Sequence, residues 1–259
     1  MPVDGGIGGL VIELYLLNKK FGDYFAVKDL TLQVHSGEIF GFLGPNGAGK
    51  TTTIRMMAGL MKPTSGRILL GGKDVSREPE KAKAILGYIP DRPYLYEKLT
   101  GEEFLQFIAG LHRLNPKDGW RRRSVELLEL FDLHRWRQEL IESYSHGMRQ
   151  RLVIIAALIH RPRVLIVDEP IVGLDPKGTQ LVKSLFQDLV KEGMTIFLST
   201  HILGIAEEMC QRIGILHRGQ MIALGTMDEL REQAKIADKR LEPLFLKLTE
   251  EERNEGIAK

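Results

Sequence analysis

The sequence has little of several features that mark particular classes of protein. It contains one cysteine, Cys210, in 259 residues, which excludes an intrachain disulfide and, without any metal-type Cys/His spacing, fits a reducing compartment. Its longest apolar run, Leu152–Ile159, is far shorter than the ~20 residues of a membrane-spanning helix. The net charge is only +2, so no nucleic-acid partner is expected. The start of the chain lacks the basic end and long apolar core of a signal peptide, so we expect a cytoplasmic protein.

Short apolar segments bounded by glycine, proline or polar residues predict the strands of the fold. They are residues 30–34, 39–43, 67–70, 85–89, 164–167 and 195–199. Most are continuous apolar runs, which indicate strands that are buried on both faces. A helix through Leu181, Leu185 and Leu189 separates the last two strands. Strands that alternate with helices predict an α/β fold with a mainly parallel sheet.

Residues 91–161 have a helical pattern instead. Thr100, with Glu103 three residues later, forms a capping box, and an apolar stripe at helical spacing is expected to face the core. The stripe consists of Phe104, Phe107, Ile108 and Leu111. We therefore expect a helical subdomain inserted into an α/β core that comprises residues 10–90 and 162–225.

A glycine-rich loop is the strongest local signal. The segment GPNGAGKT fits the pattern G-x-x-x-x-G-K-[ST] and lies between a predicted buried strand and a helix. Glycines let successive N–H groups point at one anion, and the helix adds the positive end of its dipole. The loop is expected to bind the phosphates of a nucleotide through Gly44, Pro45, Asn46, Gly47, Ala48, Gly49, Lys50 and Thr51. We expect Lys50 to reach the β- and γ-phosphates and the Thr51 hydroxyl to bind Mg²⁺.

Two carboxylates and a histidine follow predicted strands. Asp168 and Glu169 end the run VLIVDE, at the edge where open α/β sheets bind their ligands. Neighbouring side chains of a strand point in different directions, so we expect Asp168 to steady Mg²⁺ and Glu169 to hydrogen-bond the attacking water. His201 is expected to orient Glu169 or the water and to donate to the γ-phosphate, with capping of the next helix as the alternative.

Five motifs occur in an order that resembles the ATP-binding subunits of ABC transporters. They are the phosphate loop, SYSHGMRQ (143–150), VLIVDEP (164–170), GLDP (173–176) and His201. The resemblance spans roughly residues 14–224. It implies a RecA-like P-loop NTPase core with an antiparallel β portion near the N-terminus and an inserted α-helical subdomain.

The segment SYSHGMRQ is similar to the L-S-G-G-Q signature of this family, whose helix start faces the γ-phosphate bound by a second subunit. The resemblance implies that Ser145 and Gly147 contact that phosphate, and that two ATPase subunits, identical or not, close on two ATP molecules. It also implies that Phe21 stacks on adenine, Thr52 contacts phosphate and Asp175 meets the partner's site. From the residues alone, Ser145 is an ordinary N-cap, and Phe21 is an exposed loop aromatic before the first strand.

The chain departs from the family pattern at four positions. Asp91 stands where the family usually has glutamine, and a carboxylate there can bind Mg²⁺ or the nucleophilic water. A turn-forming aspartate is the alternative for this position. In the signature, Tyr144, His146 and Met148 replace the leucine, the first glycine and the glutamine.

The resemblance implies a Mg²⁺-dependent ATPase that powers an ABC transporter with separate membrane-spanning permease subunits, on the inner face of the cell membrane. The loop Pro93–Leu99 is expected to dock the permeases, with packing of the helical subdomain as the alternative for its aromatics. A capping box of Thr226 with Glu229 opens a tail, residues 226–259. Within it, residues 241–251 resemble bacterial exporter subunits, although a plain amphipathic helix explains them equally.

Two rival classes share the phosphate loop. A soluble ABC ATPase of repair, translation or cluster assembly usually has coiled-coil insertions or two ATPase domains, and the sequence shows neither. A small-molecule kinase leaves the signature and GLDP unexplained. A transporter subunit is therefore the preferred interpretation, and the resemblance of residues 241–251 to exporter subunits favours export.

Overall fold

The computed structural model describes residues 9–92, 94–171, 173–234 and 240–255, which form two β-sheets and their covering helices. The strands are β1 (Leu10–Phe21), β2 (Tyr24–His35), β3 (Ile39–Leu43), β4 (Ser65–Leu70), β5 (Lys73–Asp74), β6 (Leu86–Ile89), β7 (Val164–Asp168), β8 (Thr195–Ser199), β9 (Arg212–His217) and β10 (Gln220–Gly225). The helices are α1 (Lys50–Met57), α2 (Pro79–Ala84), α3 (Gly101–Leu111), α4 (Trp120–Leu130), α5 (His146–Leu158), α6 (Pro176–Lys191), α7 (Leu203–Met209), α8 (Met227–Ala234) and α9 (Leu241–Glu255). Short 3-10 helices cover Pro116–Asp118, His134–Trp136 and Ile141–Ser143.

The larger sheet has six strands in the order β10-β9-β3-β8-β7-β6. Its strands pair in parallel except for β10, which pairs antiparallel with β9. Every residue of β3, β7 and β8 is buried, which explains their continuous apolar sequences because both faces of the sheet are covered. The predicted mainly parallel sheet is confirmed. Its arrangement places the ends of β3, β7 and β8 at one edge, where the candidate site lies.

The smaller sheet is antiparallel, with the order β2-β1-β4-β5. Its longest pairing joins β1 to β2, and the register shifts between Leu14 and Leu17. Leu16 has a φ of 43° and faces outward, so the alternation that would reveal β1 in the sequence is interrupted there. The antiparallel β portion implied by the resemblance is confirmed. The placement of Phe21 before the first strand was wrong, because Phe21 is the last residue of β1.

The helical insertion consists mainly of α3, α4 and α5. The predicted capping box at the start of α3 is confirmed: Glu103 N donates to Thr100 Oγ1 (3.2 Å), and Thr100 N donates to Glu103 Oε2 (2.8 Å). Phe104 is buried as predicted, whereas Phe107 is 40% and Leu111 64% exposed. The core assignment of Phe107 was wrong because α3 turns Leu105 and Ala109 toward the core instead.

The described part of the predicted tail packs on the core. Thr226 and Glu229 form the expected capping box before α8, with Glu229 N donating to Thr226 Oγ1 (3.3 Å). Leu230, Leu241 and Leu244 are fully buried in a cluster with residues of β9 and α7. Residues 235–239 and 256–259 of this tail lie outside the described residues. Within the described ranges, no helix has the length and apolarity needed to cross a bilayer.

The single cysteine follows α7 and packs against β3. A Cβ built on Gly41 would lie 2.9 Å from Cys210 Sγ, so the cysteine side chain packs against the β3 backbone because residue 41 is glycine. Burial raises the pKa of the Cys210 thiol to about 12. This cysteine therefore behaves as an apolar packing residue.

Candidate functional site

The phosphate loop, residues 44–51, connects β3 to α1. Gly47 has a φ of 79° and Gly49 a φ of 106°, both in the left-handed region that glycine tolerates. A Cβ on Gly49 would lie 2.3 Å from the backbone oxygen of Ala26, so a side chain does not fit at this turn. The N–H groups of the first turn of α1 have no acceptor within the helix. The loop thus presents N–H donors at the positive end of a helix dipole, as phosphate binding requires.

Lys50 begins α1 and folds back over the loop. Its Nζ atom donates to Gly44 O (2.6 Å) and to Pro45 O (3.2 Å). Burial lowers the pKa of Lys50, and the carboxylates of Glu169 and Asp168 oppose this shift. A mostly buried ammonium group therefore lies between the loop carbonyls and the two acids.

Asp168 is the last residue of β7 and is almost fully buried. Its Oδ2 atom has no hydrogen-bond partner among the described residues. Burial raises the pKa of this carboxyl, while the Ser199 and Thr51 hydroxyls lower it and the charges of Asp91 and Glu169 raise it further. A buried carboxylate oxygen without a partner, near the Thr51 hydroxyl, is an arrangement that a cation completes.

The Asp168 carboxylate and the Thr51 hydroxyl are oxygen donors of the kind that binds Mg²⁺. The described residues include no group of three or more His, Cys, Asp or Glu side chains able to hold a metal. Proteins commonly bind Mg²⁺ through one or two carboxylates, while substrate phosphates and waters fill the other positions. Asp168 and Thr51 match that donor set.

Glu169 is held by three hydrogen bonds. Its Oε1 atom accepts from His201 N (2.9 Å) and lies 2.7 Å from His201 Nδ1, and its Oε2 atom accepts from Thr200 Oγ1 (3.0 Å). Because a carboxylate only accepts, the Nδ1 atom carries the proton in this contact. Glu169 also has a φ of 53°, a left-handed conformation that is unfavourable for a non-glycine residue. The surrounding contacts therefore fix the direction of this carboxylate.

The signature segment leads into α5. Ser145 is the N-cap of this helix, and its Oγ atom accepts from Met148 N (3.3 Å), which confirms the N-cap interpretation. The His146 ring packs on Gly173, where a Cβ would lie 2.4 Å from the ring. Gly147 lies in the first turn of the helix. Both Ser145 and Gly147 are at the start of a helix of 13 residues, so donors and a dipole end are available there.

Asp175 caps α6 and contacts α5. Its Oδ1 atom accepts from Gly178 N (2.9 Å) and from Arg151 Nη2 (3.2 Å).

Phe21 is 48% exposed at the end of β1, and Lys19 Nζ lies 5.1 Å from its ring centroid. The ring is therefore partly exposed, and its stacking on adenine, which the resemblance implies, stays a prediction.

A cleft of about 780 Å³ runs from the phosphate loop to the helical insertion. Thr51, Asp91 and Asp168 line the end next to the phosphate loop. Apolar side chains of α3 and α5 and basic residues of neighbouring segments line the rest: Phe104, Ile108, Val153, Ala157, Arg55, Lys83 and Arg92. Burial, together with the Asp168 charge, raises the pKa of Tyr88 in this cleft to about 12.

The structure brings five of the predicted site residues together through hydrogen bonds and charge interactions between their side chains: Lys50, Thr51, Asp168, Glu169 and His201. Ser145, Gly147 and Asp175 belong to a second group around the start of α5 and of α6. Thr52 is half-buried in the first turn of α1. Sequence reasoning missed Thr200, Arg149 and Arg151, although Thr200 adjoins His201 and both arginines lie close to the signature.

Known proteins share this sequence pattern and fold. A sequence profile of the family described as "ABC transporter" matches residues 27–172. The linearmycin resistance ATP-binding protein LnrL of Bacillus subtilis is 40% identical over 214 residues, which are 83% of this chain and 68% of that protein. The probable multidrug ABC transporter ATP-binding protein YbhF of Escherichia coli is 38% identical over 95% of this chain, but the chain spans only 43% of its length.

Two solved structures extend the likeness to the whole fold. An ATP-binding subunit of an ABC transporter has a TM-score of 0.88 and 36% identity, and the match covers 92% of this chain and 99% of that one. A dimeric ATP-binding cassette in a post-hydrolysis state, with ADP and Pi bound, has a TM-score of 0.74 and 25% identity, covering 83% and 98%. A profile match over more than half of the residues, together with the phosphate loop and the two carboxylates, leads to one conclusion: the chain belongs to the family of ABC transporter ATP-binding proteins.

Proposed function

We propose that the chain is the Mg²⁺-dependent ATPase subunit of an ABC exporter and acts at the inner face of the cell membrane on separate permease subunits. The observation that carries this proposal is the fixed Glu169 carboxylate, which interacts, as Asp168 does, with the charge of Lys50 in the phosphate loop. The similarity to LnrL, a resistance protein, and to YbhF, a probable multidrug transporter protein, favours export over import.

The nucleotide is held by the phosphate loop, the start of α1 and the end of β1. Loop N–H groups, Lys50 and Thr52 bind the phosphates, and the ring of Phe21 stacks on the adenine. Mg²⁺, held by Thr51 and Asp168, would neutralise the negative charge of the β- and γ-phosphates. Asp91 follows β6, and its charge raises the pKa of Asp168. Asp91 is therefore close enough to Asp168 to join the oxygen atoms proposed to bind Mg²⁺.

Hydrolysis depends on the Glu169 carboxylate. Glu169 accepts a hydrogen bond from the attacking water and takes its proton. The bond from His201 Nδ1 fixes the imidazole with its Nε2 atom turned away from Glu169, and that atom faces the γ-phosphate in the proposed complex. His201 thereby orients the base and contacts the transferred group.

A second ATPase subunit, identical or related, completes each site. Ser145 and Gly147 present a hydroxyl, an N–H group and a helix dipole end to the γ-phosphate held by the opposite subunit. Asp175, at the start of α6, meets the same interface. Loss of the γ-phosphate removes these bonds, so hydrolysis opens the dimer.

The cleft beside the helical insertion is the proposed docking place of the permeases. Tyr94 at its edge is 88% exposed, whereas the Tyr96 ring packs edge-on against Phe107 with a centroid distance of 5.2 Å. The exposure of Tyr94 therefore supports docking of a permease, and the contact of Tyr96 with Phe107 supports packing of the helical subdomain. Pro93, the first residue of the docking loop inferred from the sequence, lies outside the described residues.

The decisive experiment replaces Glu169 by glutamine. Glu169→Gln should retain ATP binding but lower phosphate release about a hundredfold or more, and with ATP and Mg²⁺ it should elute as a dimer in size-exclusion chromatography. Glu192→Gln, at an exposed position after α6, is the matched control and should behave as the parent. Hydrolysis by Glu169→Gln at the parent's rate would remove Glu169 from the proposed role.

A further inference from the structure

Arg149 joins the signature segment to the loop Tyr94–Leu99. It lies in the first turn of α5, four residues after Ser145, and its guanidinium makes three contacts. Its Nη1 atom donates to Glu97 Oε1 (2.6 Å), Nε to Tyr144 O (3.1 Å) and Nη2 to Glu142 O (3.0 Å). One planar group therefore binds both the loop and the backbone that leads into the signature.

Backbone hydrogen bonds fix the same two segments side by side. Ile141 N donates to Leu99 O (2.9 Å), and Glu142 N donates to Glu97 O (3.1 Å). An ion pair of Lys98 with Glu142 (2.6 Å) adds an exposed contact. A displacement of this loop must therefore also shift residues 141–142, which immediately precede the signature.

Tyr144 attaches the signature segment to residues outside the loop Tyr94–Leu99. This residue, which replaces the usual leucine, is buried, and its hydroxyl donates to Trp136 O (2.7 Å). A Cβ on Gly101 would lie 2.5 Å from that hydroxyl, so the tyrosine ring occupies the space at the start of α3. With its carbonyl bound by Arg149 and its ring held at α3, Tyr144 has little freedom to move independently of the loop.

We propose that Arg149 is a positioning residue that transmits the position of the loop Tyr94–Leu99 to Ser145, and this inference rests on the function proposed above. The loop borders the docking cleft, and Ser145 belongs to the surface that closes on the second subunit. Arg149 contributes no contact to the nucleotide of its own subunit in this scheme. Its removal should therefore weaken dimer closure without changing nucleotide binding by the single subunit.

The experiment compares dimerisation in the Glu169→Gln background, where hydrolysis does not intervene. Arg149→Lys keeps the charge but loses the planar fork, and Glu97→Gln removes the charge on the other side. Each should raise the ATP concentration for half-maximal dimerisation about tenfold, while monomer affinity for a fluorescent ATP analogue and the Tm stay at the background values. Because both substitutions break the same contact between Arg149 and Glu97, the double variant should dimerise no more weakly than the more strongly impaired single variant.

A matched control is Arg122→Lys on α4, where Arg122 Nε contacts Glu126 Oε1 at 2.8 Å on an exposed face; it should leave dimerisation unchanged. Normal dimerisation of Arg149→Lys and Glu97→Gln would overturn the positioning role while leaving the proposed function intact. Fully additive effects of the two substitutions would also overturn it. If the Glu169→Gln chain itself fails to dimerise with ATP, the proposed function and this inference both fail.

Discussion

Replacing His201 by alanine tests whether the imidazole positions Glu169, the proposed catalytic carboxylate. The change removes the Nδ1 contact with Glu169 Oε1 (2.7 Å) but leaves the backbone bond from residue 201 and the Thr200 hydroxyl bond. A hydrogen bond to a charged group contributes about 1.5–3 kcal/mol. The His201 side chain is 59% exposed, so the lower end of this range applies. A loss of about 1.5 kcal/mol in the transition state corresponds to roughly tenfold slower turnover.

The assay is phosphate release at saturating ATP and Mg²⁺, with ADP affinity measured in parallel. His201→Ala should lower turnover at least about tenfold and leave the affinity of the single subunit for ADP, which lacks the γ-phosphate, unchanged. His35→Ala, at an exposed position on β2, is the matched control and should match the parent. If His201→Ala turns over at the parent's rate, the carboxylate is positioned without the imidazole and the reasoning is refuted.

Two further predictions concern the loop and the metal-binding carboxylate. Gly49→Ala places a Cβ 2.3 Å from Ala26 O at a φ of 106°, so we expect a lower Tm and loss of ATP binding in calorimetry; a parent-like Tm would show that the turn relaxes easily. Asp168→Asn should abolish Mg²⁺-dependent hydrolysis yet raise the Tm of the nucleotide-free protein at neutral pH. The reason is that burial raises the pKa of the Asp168 carboxyl in the folded state. The carboxyl therefore stabilises the fold at pH values below its ordinary pKa, and this stabilisation is lost as the pH rises through the raised pKa. The Tm advantage of Asp168→Asn should thus shrink on acidification, and an advantage that is constant with pH would contradict the linkage.

Local chemistry could be predicted from the sequence, whereas contacts between distant segments could not. The phosphate loop and both capping boxes depend on residues within eight positions of one another, so their patterns are visible directly. The strand β1 was missed because a positive φ at Leu16 interrupts its alternation. Phe107 was assigned to the core because periodicity shows that a helix has an apolar stripe, not which flank of the stripe another element covers.

The candidate site shows the same division. Asp168 and Glu169 could be located because both follow a continuous apolar strand, and the structure brings them to the phosphate loop. The contact of Arg149 with Glu97 joins residues 52 positions apart, and no periodicity relates them. Such pairs become apparent only when the fold places the loop before α3 against the segment before α5.

The inert state of Cys210 has a practical consequence for studying subunit closure. Its thiol is the only one in the chain, and with a pKa of about 12 almost none of it is thiolate at neutral pH, so it reacts poorly with alkylating reagents. A cysteine introduced at an exposed surface position is then the single reactive point for a fluorophore or spin label. The natural sequence can therefore serve as its own background for cross-linking and distance measurements, with no prior removal of native thiols.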